Sequence, residues 1–182
     1  MKKSVFYITL CLFTLSSAYC RAERRTVVQN FHEMINAKPP TMSLKNSLKT
    51  GETDFVTYTC SSGAKFYYDA TKTSNIFAIF LESAGSQVTT TKIQNLDSIR
   101  IVYMPADAKK DMVVEISTDS ITWTEKETAL VFAGLRTVKM PHANDYYVRI
   151  RRKGSNNVYI REMQYIYIDL SECPNCFLYK PE

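Results

Sequence analysis

From about Asp54 onward, hydrophobic and polar positions alternate in short runs, and turn-forming residues separate the runs. The runs are rich in Val, Ile, Thr, Tyr and Phe, which favour strands. They span residues 55–59, 65–68, 76–81, 87–93, 98–103, 112–117, 122–125, 135–140, 146–152 and 158–168. No stretch of ten or more residues has the 3.6-residue period of a helix. The pattern predicts an all-β domain over residues 54–170, an antiparallel β-sandwich or jelly roll.

The last two runs, 146–152 and 158–168, read as a hairpin around a loop at Gly154. This register places Arg151 opposite Tyr159 and Arg149 opposite Arg161. The even positions form an apolar face, namely Tyr146, Val148, Ile150, Val158 and Ile160. A slip of one residue would bury the arginines, so we predict that the even face packs in the core. Glu162 falls on the core parity, and it needs either a bulge or a buried partner.

The odd positions of the same hairpin give the candidate ligand-binding residues Tyr147, Arg149, Arg151, Tyr159 and Arg161. Arginine forks suit carboxylates such as those of uronic acids, and phenol rings can stack on sugars. The alternative is a solvated strand face on which acidic neighbours, such as Glu115 or Glu125, pair with the arginines.

Residues 1–22 have the pattern of a secretory signal peptide. Lys2 and Lys3 precede a short apolar run that ends in small residues, and the run is shorter than a bilayer requires. Cleavage could follow Ala18 or Ala22, and lipid attachment at Cys20 is a less favoured alternative because Tyr19 is bulky. No later stretch is long enough to span a membrane. The protein is therefore expected to be exported to the periplasm, the cell surface or the medium.

Residues 23–53 form an N-terminal segment with a candidate first strand at 26–31 and one helical turn at 32–37, ended by Pro39 and Pro40. The composition gives 23 Lys and Arg against 18 Asp and Glu, a net charge of +5. Removal of residues 1–22 would take away three basic and no acidic residues, which lowers the net charge to +2. A nucleic-acid partner is therefore not expected.

The segment from Val113 to Trp123 is the most informative motif. An alternating strand enters a Ser-x-Asp-Ser turn, in which Asp119 can bond backbone amides, and a second strand opens near Trp123. This resembles the strand-turn-Trp hairpin of galactose-binding-like (discoidin-type) β-sandwiches, although Ser120 stands where that pattern usually has Gly. Residues 147–150 and 159–166 resemble the last two strands of such domains. Residues 54–168 also resemble jelly-roll modules of secreted Bacteroidetes polysaccharide-degrading enzymes and surface proteins.

The resemblance implies a non-catalytic binding domain whose ligand is a glycan, or else a protein or lipid, with structural calcium in some members. Fold alone confers none of these functions. Asp119 and Trp123 are expected to be structural, with Trp123 in the core. Asp107, Asp111 and Asp119 could share a loop end and hold calcium, but their spacing matches no known calcium loop.

The tail, residues 171–182, carries Cys173 and Cys176. Too few residues follow for the helix that a catalytic Cys-x-x-Cys requires, so we expect a disulfide between these two thiols and a buried Cys60. The alternative pairs Cys60 with the tail. His32 and His142 belong to no catalytic motif, and His142 follows Pro141 in what reads as a surface turn.

These observations predict an exported, non-catalytic binding module without a required cofactor or metal. Its preferred ligand is carbohydrate, in particular an acidic glycan. The alternative is a protein-interaction or structural module of the cell surface or periplasm.

Overall fold

The computed structural model describes residues 22–31, 50–52, 55–69, 76–105 and 111–171. Within them the chain forms twelve strands. They are β1 (Glu23–Asn30), β2 (Thr50–Glu52), β3 (Thr57–Ser61), β4 (Ala64–Asp69), β5 (Ile76–Leu81), β6 (Gln87–Thr90), β7 (Ile93–Met104), β8 (Met112–Ser117), β9 (Thr124–Lys126), β10 (Ala129–Phe132), β11 (Leu135–Arg152) and β12 (Val158–Asp169). No helix in this part of the chain is long and apolar enough to cross a bilayer.

The strands pair antiparallel in two sheets. Sheet A has the order β10–β11–β7–β12. The other edge of β12 pairs with β5 along its first residues and with β1 along the rest. Strand β4 pairs with the outer edge of β5. Sheet B has the order β2–β3–β6–β11–β8–β9. The predicted antiparallel β-sandwich, which the resemblance to galactose-binding-like domains also implies, is confirmed.

Strand β11 belongs to both sheets, because its first part pairs with β7 in sheet A and its last six residues pair with β8 in sheet B. The register shifts between Lys139 and Asn144, and again before Tyr146. Pro141 lies in this irregular stretch, where a residue without an N–H disturbs no regular ladder. The turn predicted at His142 is therefore wrong: this exposed residue lies within a strand.

The predicted hairpin between β11 and β12 is also wrong. Arg151 pairs with Gln87 of β6 and Val113 of β8, whereas Tyr159 pairs with Phe80 of β5 and Met104 of β7. The loop after Arg152 crosses from sheet B to sheet A instead of turning back on its own strand. The turn-like composition of residues 153–157 is the same in either case, so local sequence does not distinguish a hairpin from a crossing.

Arg152 holds this crossing. Its side chain is buried, and it donates through Nε to the carbonyl of Gly154 (3.1 Å) and through Nη1 to Oδ1 of Asn157 (3.1 Å). The guanidinium also donates to the carbonyls of Leu81, Glu82 and Ser155. Arg152 occupies an even position, as the core residues of this strand do. Its position in the sequence therefore indicated a side chain that points inward at the end of the strand.

The even face of the last two long strands is buried as predicted, with each of its five residues at most 4% exposed. A register shift between Ile160 and Glu162 marks a bulge in β12. The bulge turns Glu162 out of the core, and outside the core Glu162 accepts a hydrogen bond from Nε2 of Gln164 at 2.8 Å. The same bulge places Met163 and Tyr165 inside the core. Of the two alternatives for Glu162, a bulge or a buried partner, the structure has the bulge.

The N-terminal segment contributes to the same sandwich. All eight residues of β1 pair with β12, and Phe31 packs edge-on against Tyr58 and Phe66 in the core, with ring centroids 5.3 and 6.1 Å away. The hydroxyl of Tyr165 donates to that of Tyr58 at 3.0 Å, so the buried phenols satisfy each other. The predicted helical turn at 32–37 lies outside the described residues.

Candidate functional site

The five candidate ligand residues lie on two separate outer surfaces. Tyr147, Arg149 and Arg151 project from sheet B, because Val148 and Ile150 between them fill the core. Tyr159 and Arg161 belong to β12, and therefore to sheet A. The outer faces of the two sheets lie on opposite sides of a sandwich, so the outward side chains of sheet A do not meet those of sheet B. The structure therefore brings the first three together and separates them from the other two.

The first three form, with Glu115 and Trp123, a surface that we call the arginine face. Oε2 of Glu115 lies 2.7 Å from Nε of Arg149, and Oε1 lies 3.1 Å from Nη2 of Arg151. The Glu115 side chain is only 9% exposed. Burial acts to raise the pKa of Glu115, but the hydrogen bonds from the two guanidinium groups outweigh burial and hold the pKa below its usual value. Glu115 is the acidic partner that the alternative interpretation named.

Trp123 covers the other side of Arg149, whose guanidinium carbon lies 4.1 Å from the centre of the indole ring. Arginine over an aromatic ring is a favourable cation–π contact. The prediction that Trp123 belongs to the core is wrong, because the side chain is half-buried on the outer surface of sheet B. Arg149 is thus held from two sides, by a carboxylate and by an aromatic ring.

The turn before Trp123 has the structure that the motif predicts. Oδ1 of Asp119 accepts the N–H groups of Ile121 and Thr122 and the hydroxyl of Ser117, each at 2.8 Å. These bonds, first those from the backbone of Thr122 and Ile121, lower the pKa of the Asp119 carboxyl. Ser120 has a φ of +64°, a left-handed conformation that explains why related hairpins favour glycine there.

Several donors of the arginine face remain available. The described residues provide acceptors for Nε of Arg149 and for Nε and Nη2 of Arg151. They provide none for Nη1 and Nη2 of Arg149 or for Nη1 of Arg151. Nζ of Lys92 lies 5.6 Å above the ring of Tyr147, which adds a third cation at one end of the face. The face therefore combines fixed cations with two aromatic rings.

On sheet A, Tyr159 belongs to an aromatic cluster. Its ring stacks on Phe80, with centroids 4.6 Å apart and planes 11° apart, and Tyr67 contacts both rings. Lys65 lies over Phe80 and pairs with Glu82 at 2.8 Å. Arg161 is exposed at the bulge of β12. The sequence did not predict this cluster, because β12 is distant in the chain from β4 and β5.

Other predicted chemistry takes different forms. Cys60 is buried as predicted, and burial raises the pKa of its thiol to about 12, so it stays protonated at neutral pH.

Asp111 accepts hydrogen bonds from the backbone and the side-chain amide of Asn156 (3.3 and 2.9 Å), and it does not meet Asp119. Within the described ranges no three metal-ligating side chains converge. The predicted signal peptide up to residue 21, together with His32, Asp107, Cys173 and Cys176, lies outside those ranges.

No protein-family model matches the sequence, and no curated protein matches it significantly. The solved structures that are similar in shape include the following three. One, from work on glycan recognition by the Ruminococcus flavefaciens cellulosome, has 11% identity and a TM-score of 0.40 over 80% of this chain and 96% of that one. The Clostridium perfringens domain CpGH89CBM32-6 has 17% identity and a TM-score of 0.40 over 68% and 100%. The K2 cleaved adhesin domain of Lys-gingipain has 15% identity and a TM-score of 0.41 over 78% and 99%.

Proposed function

We propose that this protein is an exported, non-catalytic carbohydrate-binding protein that takes acidic glycans on its arginine face. The observation that carries the proposal is the position of Glu115. This buried carboxylate holds Arg149 and Arg151 side by side, while the remaining Nη groups have no acceptor in the described part of the chain.

Preorganised arginines suit a carboxylate ligand. A free arginine side chain loses rotamer freedom on binding, and this entropy cost opposes affinity. Arg149 has already lost that freedom, because Glu115 and Trp123 fix its guanidinium from two sides. Its planar donors match the two oxygens of a uronic acid carboxylate. A sugar carboxylate can therefore bind without first ordering the side chain that recognises it.

The local charge and the aromatic rings point to the same ligand class. Lys92, Arg149 and Arg151 outnumber Glu115 and its cross-strand neighbour Glu125, so the face keeps a small positive charge. Tyr147 is half-buried beside these cations. An aromatic ring supplies apolar contact area, and its hydroxyl remains available for hydrogen bonding. A carboxylated sugar ring offers both an apolar face and an anion to such a surface.

The proposal is tested by titrating the protein with polygalacturonate and with its fully methyl-esterified form, which has the same sugar backbone without carboxylate charge. We expect binding to the acidic polymer that weakens at higher salt, and at least tenfold weaker binding to the ester. Equal binding to both forms would contradict recognition of a carboxylate, and binding to neither would contradict the proposal as a whole.

Export is the second part of the proposal, and it rests on the three-part pattern of residues 1–22. N-terminal sequencing of the protein recovered outside the cytoplasm should begin at Tyr19 or at Glu23. A chain that begins with lipid-modified Cys20 would instead support a membrane-anchored lipoprotein. Recovery of the unprocessed chain from the cytoplasm would contradict export.

One observation favours the alternative function, a protein-interaction module. Val131 and Phe132 are 54% and 61% exposed where edge strand β10 turns into β11. Exposed apolar side chains on a sheet edge mark contact sites for other proteins. Replacing both by Ser should abolish capture of a cell-surface protein and leave glycan binding unchanged if this alternative holds.

A further inference from the structure

A cleft of about 490 Å³ lies at the end of the sandwich where the chain passes from β6 in sheet B to β7 in sheet A. We call it the end cleft. The residues that matter for its chemistry are Phe55, Lys92, Gln94, Asn95, Tyr167 and Asp169. Its volume is within the range of small-molecule binding sites.

One wall of the end cleft is aromatic and fixed in place. The rings of Phe55 and Tyr167 lie 5.3 Å apart at an angle of 38°, and both are half-buried. Phe55 also packs on Tyr165, a fully buried ring, at 5.7 Å. An aromatic wall backed by the core offers a firm apolar surface to the face of a sugar ring.

Hydrogen-bonding groups also line the end cleft. The side-chain amides of Gln94 and Asn95 bond to no described residue, whereas the backbone N–H of Asn95 donates to Oδ1 of Asp145 at 3.1 Å. That bond holds Asn95 at a φ of +49°. The carboxylate of Asp169 pairs with Arg25 at 2.9 Å and also accepts the N–H of Ser171. Each amide offers both donors and acceptors, as sugar hydroxyl groups require.

The end cleft continues the arginine face. Lys92 lines the cleft, and its Nζ lies over the ring of Tyr147, the last residue of that face. From Tyr147 to Arg151 the strand extends about 14 Å, a length along which several sugar units of a chain could lie. The surface therefore leads from the two arginines, past Lys92, to the end cleft.

We infer that the end cleft binds the terminal sugar of the acidic glycan whose following units lie along the arginine face. The terminal ring packs on Phe55 and Tyr167, its hydroxyl groups bond to Gln94 and Asn95, and Lys92 takes the carboxylate at the junction. This inference rests on the proposed function, and it adds that the protein recognises the end of a chain. A short acidic oligosaccharide should therefore bind without the rest of the polymer.

The test is calorimetric titration of the full chain with the disaccharide of α-1,4-linked galacturonic acid. We expect the disaccharide to bind, and Gln94→Ala and Tyr167→Leu each to weaken binding about fivefold or more. Gln29→Ala, the same substitution on the surface of β1, is the matched control and should change nothing. Gln94 is exposed, so its substitution does not threaten folding.

The outcomes separate this inference from the proposed function. Suppose that polygalacturonate binds, and that the disaccharide either does not bind or binds equally well to the wild type and to both cleft variants. The end cleft is then not the terminal site, and the proposed function stands. If neither the polymer nor the disaccharide binds, both fail. Binding of both the polymer and the disaccharide, with disaccharide binding that the cleft variants lose, supports the cleft.

Discussion

Arg151 and Arg152 are neighbours in the chain, yet they have opposite surroundings. Arg152 is 5% exposed, and its three guanidinium nitrogens donate to carbonyl and amide oxygens of the crossing loop and of residues 81–82. Arg151, with a side chain 32% exposed, bonds to Glu115 and keeps Nη1 without an acceptor in the described ranges. An arginine whose three nitrogens all have acceptors in its own chain serves the fold, and one with a nitrogen left over can serve a ligand.

The largest effect should come from Arg152→Ala. The substitution leaves the carbonyls of Leu81, Gly154 and Ser155 without their buried donor, and it opens a cavity where the guanidinium lay. We expect a loss of about 3 kcal/mol or more in the free energy of unfolding, measured by urea denaturation. Arg151→Ala on the neighbouring residue is the matched comparison and should cost less. Equal losses for the two variants would erase the distinction between them.

A smaller effect should follow from Glu115→Gln, which keeps the shape but removes the charge that orders both outer arginines. The pKa of Glu115 is lower in the folded than in the unfolded state. The ionised carboxylate therefore stabilises the fold at pH values above the unfolded-state pKa, about 4.3. This contribution to stability disappears as the pH falls through the folded-state pKa. The stability difference between wild type and Glu115→Gln should therefore be present at pH 7 and shrink below about pH 4. A difference that is constant from pH 7 to pH 2 would contradict the ionised pairing.

The smallest effect concerns the turn that carries Trp123. Ser120→Gly relieves the left-handed backbone of this residue, and it should stabilise the protein by about 0.5 kcal/mol in the same denaturation assay. Glycan binding should not change, because Ser120 contributes no described contact to the arginine face. Destabilisation by glycine would show that the serine side chain has a role that the hydrogen bonds at this turn do not reveal.

Sequence alone could predict features that depend on neighbouring positions. The alternation at 146–150 identified the buried face, the misplaced parity of Glu162 indicated either a bulge or a buried partner, and the Ser-x-Asp-Ser motif predicted the turn at Asp119. Each follows from the two-residue period of a strand or from a local hydrogen bond.

Features that join distant segments could not be predicted in this way. The end of β11 pairs with β6 and β8, which come from earlier parts of the chain, and Trp123 contacts Arg149, 26 residues later. The end cleft combines Phe55, residues 92–95 and residues 167–171. Local periodicity carries no information about which chain segments meet at the end of a sandwich.

The central claim is that Arg149 and Arg151 bind the ligand through their planar donors, and one measurement tests it directly. Replacing both by Lys keeps the charges and loses the fork geometry. Arg24→Lys, on the 65% exposed Arg24 of β1, is the control. Calorimetric titration with polygalacturonate should show binding weakened by at least about tenfold in the double variant and unchanged in the control. Equal affinity of the wild type and the double variant would contradict the account.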